Sequence, residues 1–525
     1  MSKFAVVATS LALIGALFIG TPAAVYAGPV VANDIYVGSN ANATVVSSCA
    51  DPDFTTASSN INTALDLALA EVDNHGDTVI ICDGDYTYAA DITLHDGAFG
   101  HNVINIEAAP GAEVTLDGDD QWQLLKFANM TSVSVTGIGF LDAQVDTNGA
   151  AIQIMGGTLN IVDCSFANGG TATVNGGAIY SEPGHVTISG SYFTDNRAGA
   201  EGGAVFVEDA VDGEGVTVTN SNFTGNSEAE GAAISVDGVD SAAIITVTDS
   251  EFVNNDGSYG AITIDDGSVE LTNVLMDGNN NTTGAGGAVY AEEDLTITDS
   301  EFTNNSSADG NGGAIYNDGD TIVIGSLFSG NVADGNGGAI FNEEGSLVVA
   351  SSQFTNNSSG EGDEGGSEGG AIAVETCDEV SVSGNKFLRN SAGDQGGGAI
   401  NFDCDADADV LVSRNTFTGN SARGWGGATD QESSDFVIRY VRNTFTSNSV
   451  TDGTIWLGGQ VGGQGGAVWV YNATFSGNRF TRNRASEFGG AVYATDSRVA
   501  RAAKRSTFSG NRARRGSDVY LSRGD

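Results

Sequence analysis

Through most of the chain, apolar and polar residues alternate in short runs. Residues 216–219 read Val-Thr-Val-Thr and residues 295–298 read Leu-Thr-Ile-Thr. Period two is the strand period, because successive strand side chains point to opposite faces. No stretch among these runs keeps a helical period. Glycine and asparagine separate them, as turn residues do.

Two phrases recur in step. The first is glycine, alanine, then a β-branched residue: Gly177-Ala178-Ile179, Gly203-Ala204-Val205, Gly313-Ala314-Ile315, Gly398-Ala399-Ile400 and Gly490-Ala491-Val492 are examples, with weaker copies at Ala233, Ala261 and Ala428. Successive alanines lie 24 to 39 residues apart. The second phrase is an aromatic, two small or polar residues, then asparagine. Phe193 with Asn196, Phe302 with Asn305, Phe328 with Asn331 and Phe508 with Asn511 show it, and Met276 with Asn279 is an apolar swap. A fixed period of this length marks a repeat architecture. A propeller blade needs about four strands in 40–50 residues, more than most of these spacings hold.

The predicted fold class is all-β: a right-handed parallel β-helix, one coil per repeat. Coils stack at ~4.8 Å, so equivalent residues line up along the axis. The residue after Gly-Ala then points inward and the phenylalanines form a second internal column. The asparagines sit at a corner, where an amide can satisfy turn backbone from neighbouring coils. Both phrases resemble the repeats of the polymorphic outer-membrane proteins, and more broadly those of right-handed parallel β-helix proteins, over roughly residues 164–520. The resemblance implies an adhesin-like surface role. Those relatives carry a C-terminal membrane barrel, and this chain shows no such pattern.

The ends read differently. Residues 1–27 have a positive start, an apolar run and Val25-Tyr26-Ala27, which together predict a cleaved signal peptide and a secreted or cell-surface protein. No later stretch is apolar enough to span a membrane as a helix. Residues 28–163 are expected to form an N-terminal cap and the first coils, with a short amphipathic capping helix over 59–73; residues 164–525 continue as repeat coils of the same β-helix.

Composition narrows the partners. The 525 residues hold 68 acidic and 20 basic side chains, a formal charge of −48, with 74 glycines and only 5 prolines. So acidic a chain is a poor partner for nucleic acid. Seventeen of the basic residues lie at or after Lys386, giving an acidic body and a basic end that should attract an anionic partner. The binding candidates are Trp425, Trp456 and Trp469, with Arg512, Arg514 and Arg515. Tryptophans beside arginines suit a carbohydrate or a surface protein; packing of an insertion onto the coils is the structural alternative. Asp403, Asp405, Asp407 and Asp409 alternate and would share a face if extended. Calcium is the candidate cofactor there, against the simpler reading of an exposed acidic loop; no other cofactor is expected. The cysteines contain no C-x-x-C spacing; Cys49 with Cys82 and Cys377 with Cys404 are disulfide candidates, and Cys164 is left as a buried thiol. The terminal Arg523-Gly524-Asp525 spells an integrin-binding tripeptide, a match short enough to arise by chance.

Many β-helix proteins are polysaccharide lyases or hydrolases. The Gly-His-Gly and Arg-Ile-Lys strings of the pectin-hydrolysing relatives are absent, and no catalytic residue is assigned. The expectation is a non-enzymatic adhesin-like or structural protein that binds glycan or protein. The alternative is a lyase or hydrolase acting on acidic glycans.

Overall fold

The computed structural model describes residues 78–522 except 89–94, 97–102, 145, 172, 174, 211–214, 228–230, 239–242, 361–366, 394, 407, 452–455 and 458–459, and adds the backbone of strands at 34–38 and 54–55. The strands at 95–96, 456–457 and 460–461 are described by backbone alone. Three long sheets run the length of the stack, with 17, 16 and 16 strands. Each coil gives one strand to each sheet. For example, Ile315–Asn317 lies in the third sheet, Thr321–Ile324 in the first and Leu327–Ser329 in the second. Pairing within all three is parallel, coil on coil. The chain is therefore a parallel β-helix.

The inward side of each sheet is apolar. The alternation Val-Thr-Val-Thr at 216–219 puts both valines in the core and both threonines outside. The column after Gly-Ala is wholly buried: Ile179, Val205, Ile234, Ile262, Val289, Ile315, Ile340 and Ile372 follow one another in register. The phenylalanines stack face on face in the second sheet. Phe302, Phe328, Phe354, Phe387 and Phe417 have centroids 4.8–4.9 Å apart and nearly parallel rings. The coil repeat sets that spacing.

The asparagine column fills the corner after this strand. Asn331 is fully buried. Its backbone N–H and its Nδ2 both donate to Oδ1 of Asn357, each at 3.0 Å. Its Nδ2 also donates to the Phe302 carbonyl at 3.0 Å. The pattern runs from Asn196 to Asn511. A companion column at the preceding corner is serine early and asparagine late. The Ser300 N–H donates to Ser326 Oγ, while that of Asn385 donates to Asn415 Oδ1. The residue before each corner amide has a left-handed backbone, as at Asn304 and Gly330. Glycine and asparagine tolerate that conformation best.

The expected N-terminal helix at 59–73, the signal sequence at 1–27 and the terminal Arg-Gly-Asp at 523–525 lie outside the described residues. A helix does appear at the other end. Ser497–Ala503, N-capped by Asp496, buries Val499, Ala500 and Ala503 above the strand Ala473–Ser476. It covers the last strand of the first sheet, an edge that would otherwise offer unpaired backbone groups.

Cys377 and Cys404 are joined in a disulfide with Cα atoms 4.5 Å apart. The strand Cys377–Ser383 carries one extra residue opposite Gly345–Ala350 near this bridge. Cys82 is disulfide-bonded, and Cys49 lies outside the described residues. Cys164 is a free, buried thiol that burial pushes up to about 11. It occupies a place in the serine column, its N–H donating to Ser191 Oγ.

A candidate glycan-binding cavity on the third sheet

The outward face of the third sheet carries two parallel rows that follow from the repeat. The side chain two residues after each repeat alanine faces out, and so does the one four residues after it. In the outer row ten successive coils present a carboxylate: Glu182, Glu208, Asp237, Asp265, Glu292, Asp318, Glu343, Glu375, Asp403 and Glu432. Beside it runs a row rich in aromatics, including Tyr180, Phe206, Tyr290, Tyr316 and Phe341. The tyrosines donate to the acids. Tyr290 reaches Glu292 at 2.9 Å, Tyr180 bonds Glu208, and Tyr316 bonds Glu343. Stacking like charges at coil spacing raises their proton affinity. Asp318, Glu375 and Asp403 are all raised from the ordinary carboxylate value, through partial burial first and with a contribution from acids of the row, a hydrogen bond from Asn336 opposing the shift at Glu375.

After Glu432 the row changes to Tyr471, and the inner row changes from Asn401 and Asp430 to Trp469 and Tyr493. A cavity of about 220 Å³ opens there. It is lined by Gln395, Trp425, Asp430, Gln431, Glu432, Trp469 and Tyr471. Trp425 and Trp469 are tilted at 51° with centroids 6.4 Å apart; Tyr471 stands perpendicular to Trp469 at 4.6 Å. The Trp469 Nε1 donates to Gln464 Oε1 at 3.0 Å. The Trp425 Nε1 has no partner among the described residues, although the residue is only 8% exposed. Asp430 is 2% exposed, and its Oδ1 also lacks a partner among those residues. Gly396 makes room for it: a Cβ there would lie 2.1 Å from Asp430 Oδ2. Burial, then the charge of Glu432, holds the Asp430 carboxyl well above its usual range. Glu368, from the turn two coils earlier, is raised by burial and by Glu432, with which it shares a hydrogen bond. Both carboxyls are therefore shifted toward the protonated form, which can donate a hydrogen bond.

Trp425 and Trp469, singled out from sequence, are thus brought together. They are buried rather than exposed, because they pack with Tyr493, Tyr471, Phe488 and Tyr520 in one cluster. Trp456 lies in a two-stranded antiparallel excursion, Trp456–Leu457 with Gln460–Val461. Arg515 is aligned with the cavity along one column of parallel bridges, Gly396, Trp425, Gln464, Phe488 and Arg515, and its guanidinium sits 5.9 Å from the Phe488 ring centre. Arg514 instead pairs with Glu487 at 3.1 Å, so an acid from the previous coil neutralises it. Arg512 is exposed on the last coil.

The ends of the aspartate run, Asp403 and Asp409, lie on different sheets. Asp403 ends a third-sheet strand and Asp409 begins a first-sheet strand, with a turn between them. Asp409 pairs with Arg439 at 2.7 Å, and Asp405 is exposed in the turn. Asp407 lies outside the described residues. Among those residues no group of three potential ligands is placed to hold a metal ion.

Comparison with known proteins bears on the fold. Residues 232–429 match the family model described as a right handed beta helix region. The fold is a right-handed parallel β-helix. No curated protein matches the chain. Among solved structures, a mutant of the PL6 family alginate lyase AlyGC is similar at 10% identity and a TM-score of 0.21, with 88% of this chain and 99% of that chain covered. Similarity that low carries no functional argument. No helix among the described residues is long and apolar enough to cross a membrane.

Proposed function

We propose that the protein is a secreted or cell-surface β-helix, adhesin-like in role, that binds a neutral glycan in the third-sheet cavity. The observation that carries this is a cavity whose lining residues include Trp425 and Asp430, with Trp425 Nε1 and Asp430 Oδ1 unpartnered among the described residues. Buried polar groups without partners are costly, and a bound hydroxyl would satisfy both. Aromatic faces pack against the C–H face of a sugar ring. A volume of about 220 Å³ suits one ring rather than a long oligosaccharide. Asp430 and Glu432 line the cavity, with Glu368 bonded to Glu432, and these carboxyls disfavour an acidic sugar.

The same carboxyls argue for binding over hydrolysis. Glycosidases keep their two carboxyls roughly 5–9.5 Å apart, with the reacting bond between them. Glu368 and Glu432 are hydrogen-bonded to each other and leave no such gap. The test is calorimetric titration of neutral oligosaccharides, found by array screening, into the wild type and Trp469→Ala. Binding by the wild type and at least tenfold loss in the variant are expected; equal affinity would reject the cavity. Release of reducing ends from the bound glycan would favour the enzymatic alternative.

A further inference from the structure

The second sheet changes character where the chain becomes basic. Over five successive coils, its strands and flanking corners span 384–390, 414–420, 442–448, 477–483 and 505–511, and they contain no aspartate or glutamate. They contain Lys386, Arg389, Arg414, Arg442, Arg479, Arg482 and Arg505, all exposed. Register fixes their places. Lys386, Thr416, Thr444, Arg479 and Thr507 form one outward column. Arg414 and Arg442 sit at the corner before the strand, and Arg389 and Arg482 at the corner after it.

Those four corner arginines have left-handed backbones, with φ of 58°, 57°, 54° and 56°. In earlier coils the later corner is held by Asn304, Gly330 and Asn356, residues suited to that conformation. Arginine is not, so local preference does not explain it. Glycines in the next coil accommodate the stems. A Cβ at Gly419, Gly477 or Gly510 would lie 3.5, 3.5 or 3.4 Å from Cγ of Arg389, Arg442 or Arg482. The polar contacts formed are few: Arg389 Nε donates to Asn356 Oδ1 at 3.0 Å, and Arg479 Nε to Thr481 Oγ1 at 3.4 Å. No carboxylate pairs with any of the seven cations among the described residues.

We infer that this face docks a linear polyuronate. The cations run parallel to the axis across four coil steps, about 19 Å at ~4.8 Å per step. One extended chain bearing a carboxylate on each sugar would meet several of them. The planar guanidinium matches carboxylate geometry with two parallel hydrogen bonds. The outward strand residues between the rows are mostly threonine, without the aromatic anchors that dominate protein interfaces. A second copy of this chain is a poorer occupant, because its acidic row is partly buried and bonded to tyrosines. The site is on a different sheet from the cavity and does not depend on it.

The test measures binding of polygalacturonate to the full secreted chain, with neutral dextran as control. The fourfold variant Arg389→Asn, Arg414→Asn, Arg442→Asn, Arg482→Asn places asparagine where other coils already use it. It should keep the wild-type circular dichroism and lose about tenfold or more in affinity. Wild-type binding should weaken steeply between low and moderate salt, since exposed charges are screened over about 8–10 Å. Trp469→Ala should leave it unchanged. If the fourfold variant misfolds, Lys386→Gln with Arg479→Gln on the strand face should still cost several-fold. Wild-type affinity in that folded pair or in the folded fourfold variant would overturn the assignment. So would failure of the wild type to bind at low salt, preference for a second copy in sedimentation, or complete loss on changing only Arg512, Arg514 and Arg515.

Discussion

Replacing Asn331 with alanine tests the corner column that joins coil to coil. The side chain makes four hydrogen bonds: Nδ2 to the Phe302 carbonyl and to Asn357 Oδ1, and Oδ1 from the N–H and Nδ2 of Asn305, all at 3.0 Å. Alanine removes all four. Asn357 Oδ1 still accepts the N–H of residue 331, which the change leaves in place. The Phe302 carbonyl and the Asn305 N–H lose their amide partner at a fully buried corner. An unsatisfied buried group costs about 1–3 kcal/mol, so the pair costs about 2–6 kcal/mol. The lower end applies if a water enters the space vacated. Guanidinium denaturation gives the total, and hydrogen exchange should show the Asn305 amide losing protection first. The control is Asn304→Ala: Asn304 is exposed and its Nδ2 donates to Asp277 at 3.0 Å, so it should cost only about 1 kcal/mol. If Asn331→Ala destabilised no more than this control, the column would not be what holds the coils in register.

Other outcomes follow from the same geometry. Peptide mapping of the unreduced protein should recover Cys377 linked to Cys404, and reduction should cost about 3 kcal/mol for a loop of this size; two free thiols would contradict it. Burial and neighbouring acids raise the carboxyls of Glu368, Asp430, Asp318, Glu375 and Asp403 above their unfolded values. The folded state thus binds more protons above about pH 4, and stability must fall as pH rises from there. Melting temperature should be higher near pH 4.5 than at pH 8, and added salt should narrow the gap; the reverse order would refute the account of the acidic row. Gly396→Ala should displace the Asp430 carboxyl and weaken glycan binding about tenfold while the coils stay folded, because the Cβ meets a buried side chain at 2.1 Å. Unchanged affinity would show that Asp430 does not contact the ligand.

The fold was legible because a solenoid repeats its contacts. Phe328 and Asn331 mean little singly, but ten copies of the spacing require a column, and the rings and amides do stack. The phrase Phe480 with Asn483 belongs to the same column, with Thr481 and the basic Arg482 in place of two small residues. The serine column is not legible in the sequence, because serine is common in turns anyway. The site was only half legible. The tryptophans stood out by rarity, and Trp425 and Trp469 do meet. Asp430, Glu432 and Glu368 did not stand out from 68 acidic residues, although a carboxylate four places after each alanine from Ala178 to Ala428 was in plain view. Aligning that position would have shown the row ending at Tyr471, where the cavity opens. The burial of the tryptophans came from neighbouring coils, and spacing within one repeat does not reveal that. The Asp403 to Asp409 alternation does not make one extended strand, because a turn between two sheets interrupts it. The basic tail drew attention to Arg514, whose partner Glu487 lies 27 residues earlier but one coil away.

The most direct measurement is a crystal structure of the protein soaked with its tightest neutral oligosaccharide from array screening. The account expects one sugar ring in the cavity, packed on Trp469, with hydroxyls hydrogen-bonded to Trp425 Nε1 and Asp430 Oδ1. Sugar density elsewhere on the solenoid, with the cavity filled only by water, would contradict it.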